Sequence, residues 1–344
     1  MIETDASKYL YMIPDRLPDS NKGTYGRVLI LAGSDGMSGA AYLSALAAYR
    51  TGAGLVKFLT HSNNRIILQT LLPEAVYEGY DASTDIKSLL ERNVNWADII
   101  VLGPGLGTSD LSVSVVAETF AAIHDIWPDT AERKQPLLIV DADGLNIVSR
   151  HPELKDKLND IAGALPVIIT PHPMEMSRLM DKKLDEVLAA PELTASSYSK
   201  LHNVITLLKG SQTVISLPFG EQMFKNVLKS PALSKGGSGD VLSGTIAGVY
   251  SIMRASGKSK SDTYINSCMD NSYQDHISES AFAKVGYHYY IAYISTVIGM
   301  LIHSEAGREA ARSKGVHGVL ARDTAECLGR ILDHFILSQD KGNS

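Results

Sequence analysis

Asp240 lies in the run SKGGSGDVLSGTIAG (residues 234–248), where Gly236, Gly237 and Gly239 precede an acid and then a helix-forming stretch. Glycine lets a backbone approach a phosphate closely, and the first amides of a helix point unpaired N–H groups toward an anion. The amides of Gly236, Gly237, Ser238 and Gly239 are therefore a candidate anion hole. A carboxylate held beside such a hole can take the proton from a hydroxyl as it attacks a phosphoryl group. The competing reading of Asp240 is an N-cap for a helix beginning near that residue. The loop lacks the spacing G-x-x-x-x-G-K-[ST], so it is not a Walker-type P-loop.

Other segments carry chemistry of the same kind. DADGLN (141–146) puts two acids at the end of an apolar run, where carboxylates can hold Mg²⁺ through water; alternatively Asp143 caps the next helix. TPHPMEMSRLM (170–180) pins His172 between two prolines and follows it with Glu175, which can reach a metal or cap a helix. A lone loop histidine is more often structural than functional. LLKGSQTV (208–214) sets Lys209 and Thr213 around a turn, and a turn lysine standing alone is ordinarily solvated. LGPGLGTS (102–109) and KGTYGRVLILAGSDGMSGAA (22–41) are glycine-rich strand-to-helix loops. The second does not keep G-x-G-x-x-G spacing, which argues against a dinucleotide fingerprint.

The elements that must position these residues alternate. Apolar runs at 27–33, 55–60, 98–103, 136–143, 166–173, 203–210 and 212–217 are separated by helical patterns, among them 39–54 and one starting at Ser109. Runs apolar at consecutive positions are strands buried on both faces, as in a parallel sheet covered by helices. The short GSQ link between the last two runs predicts one antiparallel edge. The expectation is a single three-layer α/β/α domain spanning 1–344, with the chemistry at the carboxyl ends of the strands. A polar excursion at about 257–287 interrupts the rhythm, 289–302 reads as a buried helix, and the last residues read as a frayed tail.

Net charge is −6, so no general positive field exists to hold a nucleic acid. Cys268 and Cys327 stand alone without metal-ligand spacing and read as reduced thiols. No apolar stretch reaches membrane-spanning length, and the acidic, proline-containing N-terminus does not read as a signal peptide. The expected location is cytoplasmic, with no membrane partner.

In this order, KGTYGRVLILAGS, GPGLG, DADGLN, TPHPxE, LKGxxT and GGxGDVLSG resemble the motifs of the ADP/ATP-dependent (S)-NAD(P)H-hydrate dehydratases, a ribokinase-like family. Each motif alone is weak; six in sequence at compatible spacing are specific. The resemblance runs from about Lys22 to Leu337 apart from the polar excursion. It implies a ribokinase-like fold with a mostly parallel central sheet. The implied activity is repair of hydrated NADH and NADPH, driven by ADP or ATP with Mg²⁺. It also implies Asp240 as the catalytic base, and Lys209, Gly210, Ser211, Gln212, Thr213 and Gly239 on the nucleotide. Ala41, Gly105, His172 and Asp240 correspond to hydrate-binding positions. By the same resemblance, an NAD(P)HX epimerase is the functional partner, expected on a separate chain, and the protein is a homo-oligomer with a tetramer favoured.

Two departures stand out: Met174 where the family commonly has glycine, and Lys-Ser-Pro-Ala-Leu at 229–233 where an Asn-Gly or Asn-Pro-Gly is common. A small-molecule kinase of the same fold, acting on a hydroxymethyl-pyrimidine, thiazole alcohol or sugar, would use the same glycine loop and base. The N-terminal KGTYGRVLILAGS and the DADGLN–TPHP pair separate the two. A non-catalytic nucleotide-binding protein is the third reading, against which Asp240 and its glycines argue.

Overall fold

The structure is a computed structural model describing residues 2–127, 136–219, 222–255 and 279–340. Residues 257–278 of the expected polar excursion lie outside the described residues, as do Cys268 and residues 341–344 of the expected tail.

The strands are β1 (Ile2–Glu3), β2 (Arg27–Leu31), β3 (Leu55–His61), β4 (Val76–Tyr80), β5 (Ile99–Leu102), β6 (Leu137–Val140), β7 (Val167–Ile169), β8 (Ile205–Leu208), β9 (Val214–Ser216) and β10 (Met223–Lys225). They form one ten-stranded sheet in the order β1-β10-β9-β8-β7-β6-β5-β2-β3-β4. From β8 to β4 every pairing is parallel. The expected antiparallel edge is present, with β9 against β8 and β10 against β9. Three strands were not expected from sequence: β1, β10 and β4. β4 (VYEGY) has a polar residue and a glycine at its centre and is exposed at its start, as an edge strand allows.

The helices are α1 (Ser7–Leu10), α2 (Ser38–Arg50), α3 (Arg65–Leu71), α4 (Ile86–Trp96), α5 (Asp110–Ile126), α6 (Asp143–Arg150), α7 (Pro152–Ala164), α8 (Pro173–Met180), α9 (Leu184–Ala189), α10 (Pro191–His202), α11 (Ser238–Ala255), α12 (Glu279–Lys314) and α13 (Ala321–Asp340). They cover both faces of the sheet. Side chains alternate across each strand, so β2 sends Val28 and Ile30 to one core and Leu29 and Leu31 to the other. The first core packs under α2, α11, α12 and α13, and the second under α4, α5, α7 and α10. The buried helix expected at 289–302 is the middle of the much longer α12, which begins inside the stretch expected to be an insertion.

Strand order reverses between β2 and β5, and in an open parallel sheet that is where ligands settle. The loops leaving these two strands interlock there. Gly33 N donates to Pro104 O at 2.9 Å, and Ser34 N donates to Gly105 O at 2.6 Å. The β5 loop then enters α5 through Ser109, whose Oγ accepts from Ser112 N at 3.2 Å. Replacing that cap (Ser109→Ala) is expected to cost about 1 kcal/mol in denaturant unfolding, because one first-turn amide loses its acceptor.

α2 and α11 approach backbone to backbone. A Cβ on Gly244 would lie 2.0 Å from Ser44 O, and one on Gly248 would lie 2.5 Å from Ala48 O. Only glycine permits this contact, and it brings the start of α11 against α2, where Ser44 Oγ donates to Asp240 O at 3.0 Å.

Candidate active site

α11 begins at Ser238, two residues earlier than expected, so Asp240 stands inside the first turn. The first helical bond runs from Val241 N to Gly237 O at 3.1 Å. The N–H groups of Gly239 and Asp240 therefore have no intrahelical acceptor and remain available to an anion. Gly237 has φ +88°, and a Cβ there would meet Leu43 Cδ1 at 2.5 Å, so this turn requires glycine. The Asp240 carboxylate accepts no hydrogen bond from any described residue, so it is not acting as a cap. Burial pushes its pKa up to about 6; Asp141 adds to the rise and Lys209 opposes it.

The strand ends supply the rest of the cluster. Asp141 follows β6, is 1% exposed, and accepts from Lys209 Nζ at 2.8 Å and from Ser243 Oγ at 2.6 Å. Lys209 follows β8 and is ion-paired beside the anion loop, not solvated as a turn lysine standing alone ordinarily is. Burial works against its charge, but Asp141 and Glu175 outweigh it and hold the ammonium above its usual range. Asp143 opens α6, where its Oδ2 accepts from Gly107 N at 2.8 Å; it thus ties the GPGLG loop to the cluster. Ala142, between the two acids, has φ 48° and ψ −117°. That inverted turn closes with Gly144 N donating to Asp141 O at 3.0 Å, and it sends the neighbouring carboxylates to different partners.

His172 and Glu175 form a capping box at the start of α8, an outcome the sequence had left open for Glu175. His172 Nδ1 accepts from the N–H groups of Met174 and Glu175 at 3.1 and 3.3 Å, which leaves the proton of the neutral ring on Nε2. Burial and the nearby cations Lys209 and Arg178 lower its pKa. Glu175 is 5% exposed, and burial raises its pKa to about 7. Met174 is a second-position helical residue, 40% exposed, with no left-handed backbone, so glycine is not required there. The Lys-Ser-Pro-Ala-Leu departure folds as a 3-10 turn, Pro231–Leu233, that buries Ala232 and rests Leu233 on Gly307 of α12.

These parts enclose a cleft of about 730 Å³. Of the sequence-predicted residues, His172, Lys209, Gly210, Ser211, Thr213, Ser238, Gly239 and Asp240 line it. Gln212, Gly236 and Gly237 are not on its wall. Ala41 and Gly105 are not on it either; they lie behind it at the β2/β5 crossing, Ala41 buried and Gly105 with its Cβ position 2.7 Å from Ala40 Cβ. The loop that carries Gly105 is tied to the start of α6 by Gly107 N donating to Asp143 Oδ2.

Residues missed from the sequence form the opposite wall. His303 of α12 is buried, its Nε2 is 3.3 Å from Ser238 Oγ, and burial lowers its pKa to about 4, which keeps it neutral. Asn226 Nδ2 donates to Ser304 Oγ at 3.1 Å. The polar pair His303–Ser304, directly after the apolar run 289–302, was the available signal.

No three acid, histidine or cysteine side chains among the described residues converge as a metal cage. Lys209 already occupies the gap between Asp141 and Glu175, 2.8 and 3.9 Å away, where a cation bound directly by both would sit. The donor set does not fit a resident Mg²⁺. It fits one that arrives on the oxygens of a phosphate.

Comparison with known proteins accords with this arrangement. The family model described as NAD(P)H-hydrate dehydratase matches residues 28–330. The ADP-dependent (S)-NAD(P)H-hydrate dehydratase of Listeria monocytogenes is 34% identical over 241 residues, covering 69% of this chain and 76% of that protein. The bifunctional NAD(P)H-hydrate repair enzyme of Moorella thermoacetica is 30% identical over 328 residues, 93% of this chain but 52% of the relative; the chain spans about half the length of such bifunctional relatives. Among solved structures, the ADP/ATP-dependent NAD(P)H-hydrate dehydratase of Bacillus subtilis, co-crystallised with ATP and Mg²⁺, superposes with a TM-score of 0.69 at 25% identity, covering 96% of this chain and 98% of that one. With a cleft at the strand ends, Asp240 beside open amides and a family model spanning most of its length, the chain belongs to the NAD(P)H-hydrate dehydratase family.

Proposed function

We propose that this protein dehydrates the S epimer of hydrated NADH and NADPH, using ADP or ATP and releasing AMP or ADP plus phosphate. The observation that carries the reading is the half-buried carboxylate of Asp240 beside the open amides of the first turn of α11. Hydroxide is a poor leaving group. Asp240 takes the proton of the ring hydroxyl as its oxygen attacks the terminal phosphorus, and the nucleotide leaves as AMP or ADP. The loop Gly236, Gly237, Ser238 and Gly239 presents the anion hole, in which the open amides of Gly239 and Asp240 hold the migrating phosphoryl group, while the Ser238 amide is already taken by Lys235 O at 3.2 Å. Loss of phosphate from the ring carbon, with a proton from the neighbouring carbon, restores the double bond.

In this reading Lys209, Gly210, Ser211, Gln212, Thr213 and Gly239 bind the nucleotide. Ala41, Gly105, His172 and Asp240 bind the hydrate. Mg²⁺ comes with the nucleotide and offsets phosphate charge. The functional partner is an epimerase that converts the R hydrate to the S form. A cytoplasmic homo-oligomer, tetramer favoured, completes the proposal.

The test is incubation of the purified chain with S-epimer hydrate and ADP or ATP, following the return of NADH absorbance. Phosphorylated product without NADH would favour the kinase reading. Nucleotide binding without any turnover would favour the binding-module reading. A base must be unprotonated to work, and burial pushes the Asp240 pKa up to about 6. Consequently kcat/KM is expected to fall roughly tenfold per pH unit below about pH 6 and to level off above it. A rate flat down to about pH 4.5 would remove Asp240 from the role of base.

A further inference from the structure

Lysine is a point charge on a long flexible stem, and a lysine at a cleft mouth ordinarily extends into water. Lys209 does not. One ammonium proton goes to Asp141 Oδ1 at 2.8 Å, and Glu175 Oε2 is 3.9 Å away. A Cβ on Gly239 would stand 3.4 Å from Lys209 Nζ and 3.8 Å from Asp141 Oδ2, so both charged groups lie against the backbone of the anion loop. Asp141 is held from the other side as well. Its Oδ2 accepts from Ser243 Oγ at 2.6 Å, and the same hydroxyl reaches Gly239 O at 3.1 Å. Asp141 thus joins the end of β6 to the end of β8 and to the first turns of α11.

We propose that Asp141, clamped by Ser243, is a positioning residue that anchors the Lys209 ammonium beneath the anion loop, not a metal ligand. The inference rests on the function proposed above, because it places that ammonium where the phosphoryl group crosses. With one proton committed to Asp141, the ammonium keeps donors for phosphoryl oxygens. The strand-end position suggests a metal ligand, but each oxygen of Asp141 already accepts a hydrogen bond from within the protein.

Two measurements on the full chain test this. The first is acylation of Lys209 by acetic anhydride, read by peptide mass spectrometry, which needs no substrate. Asp141→Asn removes the partner that holds the proton on Lys209, so labelling is expected to quicken about tenfold or more. Ser243→Ala should quicken it less, and Ser243→Thr, which restores the hydroxyl, should return it toward the unmodified rate. The second is steady-state repair. Asp141→Asn is expected to lower kcat about ten- to a hundredfold while nucleotide KM moves less than about threefold. Unchanged labelling in both Asp141→Asn and Ser243→Ala overturns the proposal. So does recovery of the Asp141→Asn rate by excess Mg²⁺, which would make Asp141 a metal ligand. Should Asp141→Asn fail to fold by circular dichroism, Ser243→Ala carries the labelling test alone. A chain that repairs no hydrate yet shows the labelling pattern would defeat the proposed function and leave the anchor standing.

Discussion

Asp240→Asn will abolish repair of hydrated NADH, with kcat lowered by about a thousandfold or more, while nucleotide affinity stays within about threefold. Asparagine fills the same space and cannot take a proton. The amides beside it, which precede the first helical bond, are untouched by the change. The backbone anchor, Ser44 Oγ to Asp240 O, is also retained. Isothermal titration with ADP and ATP beside the turnover assay separates the two effects. Turnover within tenfold of the unmodified protein would mean that another group takes the proton.

The same variant carries a stability signature. Burial raises the Asp240 pKa in the folded state to about 6, from an ordinary 3.8. A folded-state value above the unfolded one means that ionisation costs stability as pH rises through that interval. The cost is absent below about pH 4 and complete above about pH 6. Asp240→Asn should therefore be more stable than the unmodified protein at pH 8, by about 1–3 kcal/mol, and the gain should vanish near pH 4. Urea melts at the two pH values measure it. A variant less stable at pH 8 would contradict a desolvated base.

Gly103→Ala is expected to be the most damaging glycine substitution of the strand-end loops, costing about 4 kcal/mol or more. Two penalties coincide there. Gly103 has φ +119°, a conformation that side-chain-bearing residues rarely adopt. A Cβ would also stand 2.1 Å from Asp141 O and 2.6 Å from Gly144 N. Those two atoms close the turn that divides Asp141 from Asp143, so the clash cannot be relieved without opening the acid cluster. Thermal unfolding should drop by about 5–10 °C, with repair activity lost even below the transition. Gly163→Ala in α7 is the matched control, since a Cβ there meets nothing within 4 Å. Its expected effect is neutral to about 1 kcal/mol stabilising. Equal effects from the two substitutions would show that the β5 loop is free to move aside.

Much of this protein was legible one segment at a time. The parallel strands are apolar at consecutive positions because both faces are covered, and that pattern needs no partner to be seen; β2, β5 and β6 were readable for this reason. The antiparallel edge followed from the short turn containing GSQ before β9. The glycine loops announced themselves because left-handed backbone and close approaches are properties of a single residue type. Motif order sufficed to suggest the family.

Charge partnerships belong to the fold. Lys209 and Asp141 are 68 residues apart in sequence, and Ser243 is a further 34 beyond Lys209. No local pattern tells a turn lysine in water from one ion-paired against an anion loop. Glu175 likewise became a buried half of a capping box only once α8 was packed against α6 and α9, and His303 reached Ser238 only because α12 lies beside α11. The edge strands β1 and β4 were invisible because an exposed edge relaxes the apolar pattern, and β10, three residues long between β1 and β9, is too short to show one. The residue sequence alone determined which side chains were available for chemistry. Tertiary structure decided their charge and reach, because burial and neighbouring ions, which set both, are contributed by parts of the chain far apart in sequence.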